Sequence, residues 1–184
     1  FEGVPGSSKE KFASMVSLLR QALDKAGKGY LIYMTLPSVD WEGYLDFQVL
    51  APITDRFCIM GYDYYGSTSE VAGPVAPLES GKVWEPYNLT MSVDYYIAHG
   101  APVSSLILAL PFYGSIWETE SGNEPSKARK YIGARTADYL KTELTMTPRM
   151  DTVSKTVFYS YATGDGEALF RQAWFDSDST FALK

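Results

Sequence analysis

Only one cysteine, Cys58, and one histidine, His99, occur in 184 residues. A lone thiol excludes an intramolecular disulfide framework. Between Phe57 and Ile59, it is expected to be a buried core thiol rather than a nucleophile. His99 stands beside Gly100 at the end of a helical pattern, where an imidazole suits the helix dipole. Metal-ligand spacings, glycine-rich phosphate loops and Cys–His pairs are all missing. Metal, phosphoryl and thiol chemistry therefore lack support, and no cofactor or metal is expected. Positive charge is also short: 16 Lys and Arg against 22 Asp and Glu give a net charge of -6 and a pI near 4.8. With no basic stripe to displace counterions, nucleic acid is not an expected partner, whereas a neutral polymer is compatible. No apolar run reaches membrane-spanning length, so no membrane partner is expected. No leader or initiator Met precedes Phe1, and the expectation is a processed or truncated chain.

What the chain does have is aromatic side chains, 15% of it, including 14 Tyr and 4 Trp. Such rings pack cores and also stack on sugars. Residues 7–27 read as a helix: Ser7 is placed to cap with Glu10 following, and Phe12, Met15, Val16, Leu19 and Leu23 share one face. Tyr30 to Leu36 reads as a buried strand ended by Pro37, and 40–53 as an irregular to helical crossing. Arg56 to Tyr62 is a second strand, with Asp63-Tyr64-Tyr65 at its tip. A loop containing Gly73-Pro74-Val75-Ala76-Pro77 leads to a helix at 88–99. Leu106 to Phe112 is a third strand. Alternating helices and continuous apolar strands predict a parallel α/β sheet covered by helices. A closed barrel of this kind needs eight strands and about 250 residues, and only three such strands are found. The stretch 115–175 reads as irregular, with one hairpin of Val157 to Tyr161 and Leu169 to Phe175 about the turn Thr163-Gly164-Asp165-Gly166. Ser177 is placed to cap a last helix.

In parallel α/β architectures the chemistry sits where strands end. That rule selects Tyr62 and Asp63 at one tip, Phe112 and Tyr113 at another, and Glu2 ahead of the first helix. One carboxylate beside a Tyr–Asp pair suits general acid catalysis on a polar, hydrogen-bonding substrate. No nucleophile elbow is present. Tyr64, Tyr65, Trp84 and Trp117 lie on predicted loops, where packing is the simpler reading than sugar stacking.

Taken together, these segments resemble glycoside hydrolase family 18. Phe1-Glu2-Gly3 looks like the end of that family's strand-four signature Asp-x-x-Asp-x-Asp-x-Glu. Met60-Gly61-Tyr62-Asp63 matches its strand-six Met-x-Tyr-Asp, and Leu110-Pro111-Phe112-Tyr113-Gly114 its strand-seven tip. Gly73 to Leu78 and Trp174-Phe175-Asp176-Ser177 also resemble it. The resemblance spans the whole chain. It implies a segment of a TIM barrel, from about the end of strand four to the helix before strand eight, with the missing strands supplied by the rest of a parent chain.

It also implies a retaining mechanism in which the substrate's own N-acetyl oxygen attacks, an exception to the two-carboxylate scheme. Glu2 would be the acid/base, Tyr62 would hydrogen-bond the acetamide, and Asp63 would shape and polarise the sugar site. Met60, Tyr113 and Tyr64 would bind substrate. The implied activity is chitin-type hydrolysis of β-1,4-linked N-acetylglucosamine, acting on a polysaccharide or oligosaccharide outside the cell or at its envelope. Alternatives are a peptidoglycan (spore cortex) or N-glycan hydrolase and, in another class, a non-catalytic lectin. Two departures are visible. Ser115 stands where an Arg often follows Phe-Tyr-Gly, and the stretch after strand seven is short for a large inserted domain, which implies a shallower groove.

Overall fold

The computed structural model describes residues 3–143, 146–164 and 169–184. In chain order its elements begin with helix α1 (Lys9–Ala26), strand β1 (Tyr33–Leu36), the short helix α2 (Phe47–Leu50), β2 (Arg56–Met60), β3 (Val71–Ala72), α3 (Leu89–Ala98) and β4 (Leu106–Ala109). Then follow β5 (Tyr113–Thr119), β6 (Ser126–Thr136), α4 (Ala137–Glu143), β7 (Arg149–Asp151), β8 (Thr156–Thr163), β9 (Leu169–Phe175) and α5 (Asp178–Phe181). The backbone divides into two compact units. One runs to Met60 and includes Ser92–Ala109; the other takes Gly61–Met91 and Leu110–Lys184.

The first unit is the parallel sheet β1-β2-β4 that the alternating pattern predicted. Side chains of a strand alternate between faces, and here one face carries Met34, Leu36, Phe57 and Ile59 into a core shared with Phe12, Val16, Phe47 and Tyr96. The opposite face carries Tyr33, which is 61% exposed, and Ile107, 40% exposed. The strands are thus half-buried rather than continuous in their burial, and Cys58, on the less covered face, is a partly buried free thiol, not a core one. The first helix starts at Lys9 after a 3-10 turn over Gly6–Ser8; its N-cap is Ser8 and makes no side-chain cap bond, so the predicted Ser7 cap is not formed.

The second unit corrects the reading of 115–175 as irregular. These residues build most of a six-stranded sheet, ordered β3-β6-β5-β9-β8-β7, whose strand pairs are all antiparallel. The hairpin of β8 and β9 is as expected, although Asp165 and Gly166 of its turn lie outside the described residues. One core lies beneath α4, with Leu140, Ile116, Tyr159, Ala173 and Phe175. A second core is aromatic, joining Trp84, Trp117, Phe158 and Trp174. Trp174 stacks on Phe158 at 4.2 Å between centroids and meets Trp84 edge to face at 5.1 Å. With Trp84 1% and Trp117 0% exposed, packing is what these two rings do. The expected hairpin is thus one part of a larger antiparallel sheet with cores of its own. The capping box at Ser177 is formed, with its side chain accepting from the Thr180 amide.

Candidate active site

The tip that follows β2 carries Tyr62, Asp63 and Tyr64. Asp63 adopts φ of 59°, the left-handed region that Asp tolerates better than most residues but that still costs of order 1–2 kcal/mol. Three contacts offset that cost. Tyr113 Oη donates to Asp63 Oδ1 at 2.6 Å. The rings of Tyr62 and Tyr113 meet edge to face, 6.3 Å apart at 70°. The Tyr64 amide donates to the Val75 carbonyl at 3.1 Å, tying the tip to the Gly-Pro loop downstream.

Tyr113 opens β5, and its position depends on the next residue. A Cβ at Gly114 would collide with the Trp174 carbonyl, Phe175 and a methyl of Leu140. Glycine therefore lets β5 sit against β9 and α4, which aims the start of the strand at Asp63. Burial and the neighbouring Asp63 carboxylate push the Tyr113 phenol well above its ordinary value. Tyr113 thus stays a proton donor to Asp63 through neutral and moderately alkaline pH. Asp63 itself is solvent-exposed.

Beside Asp63 opens a cavity of about 210 Å³, walled by Asp63, Tyr64, Gly66, Ser67, Thr68, Ser69 and Tyr131. The Ser69 hydroxyl accepts from the Gly66 amide at 3.0 Å, closing the loop on itself, and the Trp117 indole lies 3.4 Å from the Gly66 carbonyl, tying the loop at Gly66. Tyr131, from β6, packs edge to face on Trp117 at 5.6 Å, and its hydroxyl lies 3.2 Å from that of buried Ser115. A wider depression of about 560 Å³ in the same unit is lined by Tyr159, Phe175 and the Lys141–Asp178 ion pair, and holds none of the predicted site residues.

The structure thus brings Tyr62, Asp63, Tyr64 and Tyr113 together within the second unit. Met60 ends β2 in the first unit, partly buried and paired with Ala109. Glu2 lies outside the described residues. Ser115, which departs from the expected Arg, is a buried hydrogen-bond partner of Tyr131. Tyr131 itself was missed: between Lys130 and Ile132 nothing in the sequence marks it, and only the β5–β6 pairing places it.

The model of the family described as Glycosyl hydrolases family 18 matches residues 2–184. The chain belongs to glycosyl hydrolase family 18. Among curated relatives, "Probable chitinase 2" of Drosophila melanogaster is 32% identical over 116 residues, covering 61% of this chain and 23% of that protein. Among solved structures, a family 18 chitinase from Cycas revoluta in complex with (GlcNAc)3 superposes with a TM-score of 0.79 at 21% identity, covering 100% of this chain and 56% of that one. The chitinase-like agglutinin of Robinia pseudoacacia superposes with 0.77 at 21% identity, over 97% of this chain and 54% of that one. The family 18 chain therefore spans about a quarter of that curated relative and just over half of those solved chains. Its parallel unit is a segment of the family's α/β barrel. Since an enzyme and an agglutinin share this fold, the fold alone does not choose between cleavage and binding.

Proposed function

We propose that the protein carrying this family 18 chain hydrolyses β-1,4-N-acetylglucosaminide linkages of the chitin type, with retention and with help from the substrate's acetamide. The observation that carries the reading is the 2.6 Å bond from Tyr113 to Asp63. It joins two strand tips, 50 residues apart, into one polar cluster with Tyr62 alongside. In this reading Tyr62 donates to the acetamide oxygen and fixes it beneath the anomeric carbon. That oxygen attacks while Glu2 protonates the leaving oxygen, and Glu2 then takes a proton from the incoming water. Asp63, oriented by Tyr113, faces the acetamide nitrogen and stabilises the positive charge that gathers there. Such contacts accelerate reaction to the extent that they strengthen as charge develops. Tyr64 and Met60 contribute to binding the polymer. As a family 18 glycosidase of this kind, the protein would act outside the cell or at its envelope, where such polymers are met.

The test is Glu2→Gln in the full-length protein. The rate of hydrolysis of N-acetylglucosamine oligomers should fall about 10²–10⁴-fold, the usual contribution of a general acid/base, with oligosaccharide binding retained. Unchanged turnover would refute the role of Glu2. The second reading, a sugar-binding lectin, is favoured by the likeness to the Robinia agglutinin. Binding of the oligomers by the unmodified protein with no hydrolysis at all would decide for it.

A further inference from the structure

Two prolines shape the loop downstream of the Asp63 tip. Pro74 and Pro77 have no N–H, so the stretch from Gly73 to Leu78 cannot run as an inner strand of a sheet. Residues 73–77 are nevertheless buried, and buried carbonyls need donors from elsewhere. Four consecutive carbonyls find them. That of Val75 accepts from the Tyr64 amide at 3.1 Å, that of Pro77 from the Leu89 amide at 2.9 Å, and that of Leu78 from the Thr90 amide at 3.3 Å. The Ala76 carbonyl, between them, accepts from Lys184 Nζ at 2.5 Å, a side chain 108 residues away in sequence. We infer that Lys184 is a positioning residue for the proposed reaction. By holding the Ala76 carbonyl it fixes the loop whose Val75 carbonyl grips the Tyr64 amide, and so keeps Asp63 in its left-handed conformation against Tyr113. This deepens the proposed function and rests on the role given there to Asp63.

The grip comes from a fixed point. Lys184 Nζ also donates to Asp176 Oδ1 at 2.6 Å and to Thr156 Oγ1 at 3.2 Å, and its side chain is 0% exposed. An ammonium has three protons, and these three acceptors use them all. Thr156 opens β8 and Asp176 directly follows β9, so the loop is tied to that strand pair. Tyr113 is tied to the same pair, because β5 runs beside β9 and Gly114 packs against the Trp174 carbonyl. Both partners of the Tyr113–Asp63 bond are thereby located from one frame. Without Lys184 the Asp63 partner would lose its reference, and the left-handed backbone at 59° would be free to relax.

The experiment compares Asp176→Asn, Lys184→Met and the double variant in the full-length protein, each assayed where its unfolding curve shows it folded. All three break the ion pair, but only Asp176→Asn leaves the ammonium on the Ala76 carbonyl. Lys184→Met and the double variant should lower kcat on N-acetylglucosamine oligomers about ten- to a hundredfold, the cost of a reacting group displaced by about 1 Å, with KM changed less than about threefold. Asp176→Asn should stay within about threefold of the parent in both constants. The double variant buries no unpaired carboxylate and takes the place of Lys184→Met should that one not fold. Amide hydrogen exchange reads the grip without turnover. In the variants lacking Lys184 the Tyr64 amide should accelerate at least about tenfold more than the amides of the β8–β9 ladder, whereas a general loss of stability would speed both alike. An equal loss of kcat in Asp176→Asn, an unaltered kcat in the double variant, or a Tyr64 amide that only keeps step with the ladder would overturn the positioning role and leave the proposed function standing. Absence of hydrolysis by the unmodified protein would instead remove the proposed function, and the catalytic meaning of the grip with it.

Discussion

Removing the ammonium of Lys184 is expected to destabilise the second unit by about 3–5 kcal/mol, the usual result of orphaning one member of a buried ion pair. The Lys184 side chain is 0% exposed and that of Asp176 2%. Lys184 Nζ donates to Asp176 Oδ1 at 2.6 Å, to the Ala76 carbonyl at 2.5 Å and to Thr156 Oγ1 at 3.2 Å, and Thr180 Oγ1 also donates to that carboxylate at 2.9 Å. Burial nevertheless outweighs this attraction. It raises the Asp176 carboxyl above its ordinary value and lowers the Lys184 ammonium below its own. The intact pair is therefore worth little net, while either half alone is costly. In Lys184→Met the carboxylate keeps only Thr180. In Asp176→Asn the ammonium keeps Ala76 and Thr156, so its cost should lie at the lower end of that range. The double variant should cost about 2–4 kcal/mol less than the sum of the singles, which is the coupling a double-mutant cycle measures.

Urea unfolding followed by tryptophan fluorescence suits this question. Trp84, Trp117 and Trp174 are buried in the second unit, while Trp41 is 71% exposed. The pH dependence adds a signed check. With the cation gone, the folded Asp176 carboxyl should rise further above its unfolded value. A group raised in this way contributes its full stability below the unfolded carboxyl range and loses it as pH climbs through the folded value. The cost of Lys184→Met should therefore be smallest near pH 4 and grow by up to about 1.4 kcal/mol per pH unit above that. A cost below about 1 kcal/mol at pH 7, or one that is flat between pH 4 and 7, would refute the assignment of Lys184 as the carboxylate's essential partner.

The phenol of Tyr113 is also raised, so folding stability should hold below pH 10 and fall as pH rises above it, because the unfolded chain ionises there and the folded one does not. Tyr113→Phe should lessen that alkaline loss in urea titrations at pH 9 to 11, and an unaltered slope would count against it. The same variant should lower kcat of the full-length protein more than it raises KM, by freeing Asp63 to turn. Residues 1–184 expressed by themselves should not cleave chitin oligomers and should self-associate through the open edges of β1 and β4, so turnover by a monomeric preparation would contradict this.

The first unit was legible because its signals are local. The spacing of Phe12, Val16 and Leu19 marks α1, and the apolar run around Phe57 and Ile59 marks β2. The sheet of the second unit was not legible. Strand β6 mixes Lys127, Arg129 and Lys130 with small residues and leaves much of its length exposed, and the β5–β6 register shifts at Ile116/Trp117 and Glu118/Thr119 break the period of two. Tyr131 became a wall of the cavity only through that pairing, which no local pattern encodes. Tyr62, Asp63 and Tyr113 were singled out by their place at predicted strand ends and then by motif resemblance, but the bond between Asp63 and Tyr113 is a fact of folding alone.

The anchoring of Asp63 explains why the second unit supplies the candidate site. A left-handed Asp at an exposed tip would relax if its surroundings allowed it. Here the side chain is gripped by Tyr113, and the following amide by the Val75 carbonyl. The next carbonyl along, that of Ala76, is gripped by Lys184, which is locked in turn by Asp176. Gly114 lets the Tyr113 strand approach, and Trp174, whose carbonyl leaves no room for a larger residue, also anchors the aromatic core. The ion pair, the aromatic core and the tip thus converge on one carboxylate, which is the preorganisation that an electrostatic role for Asp63 requires.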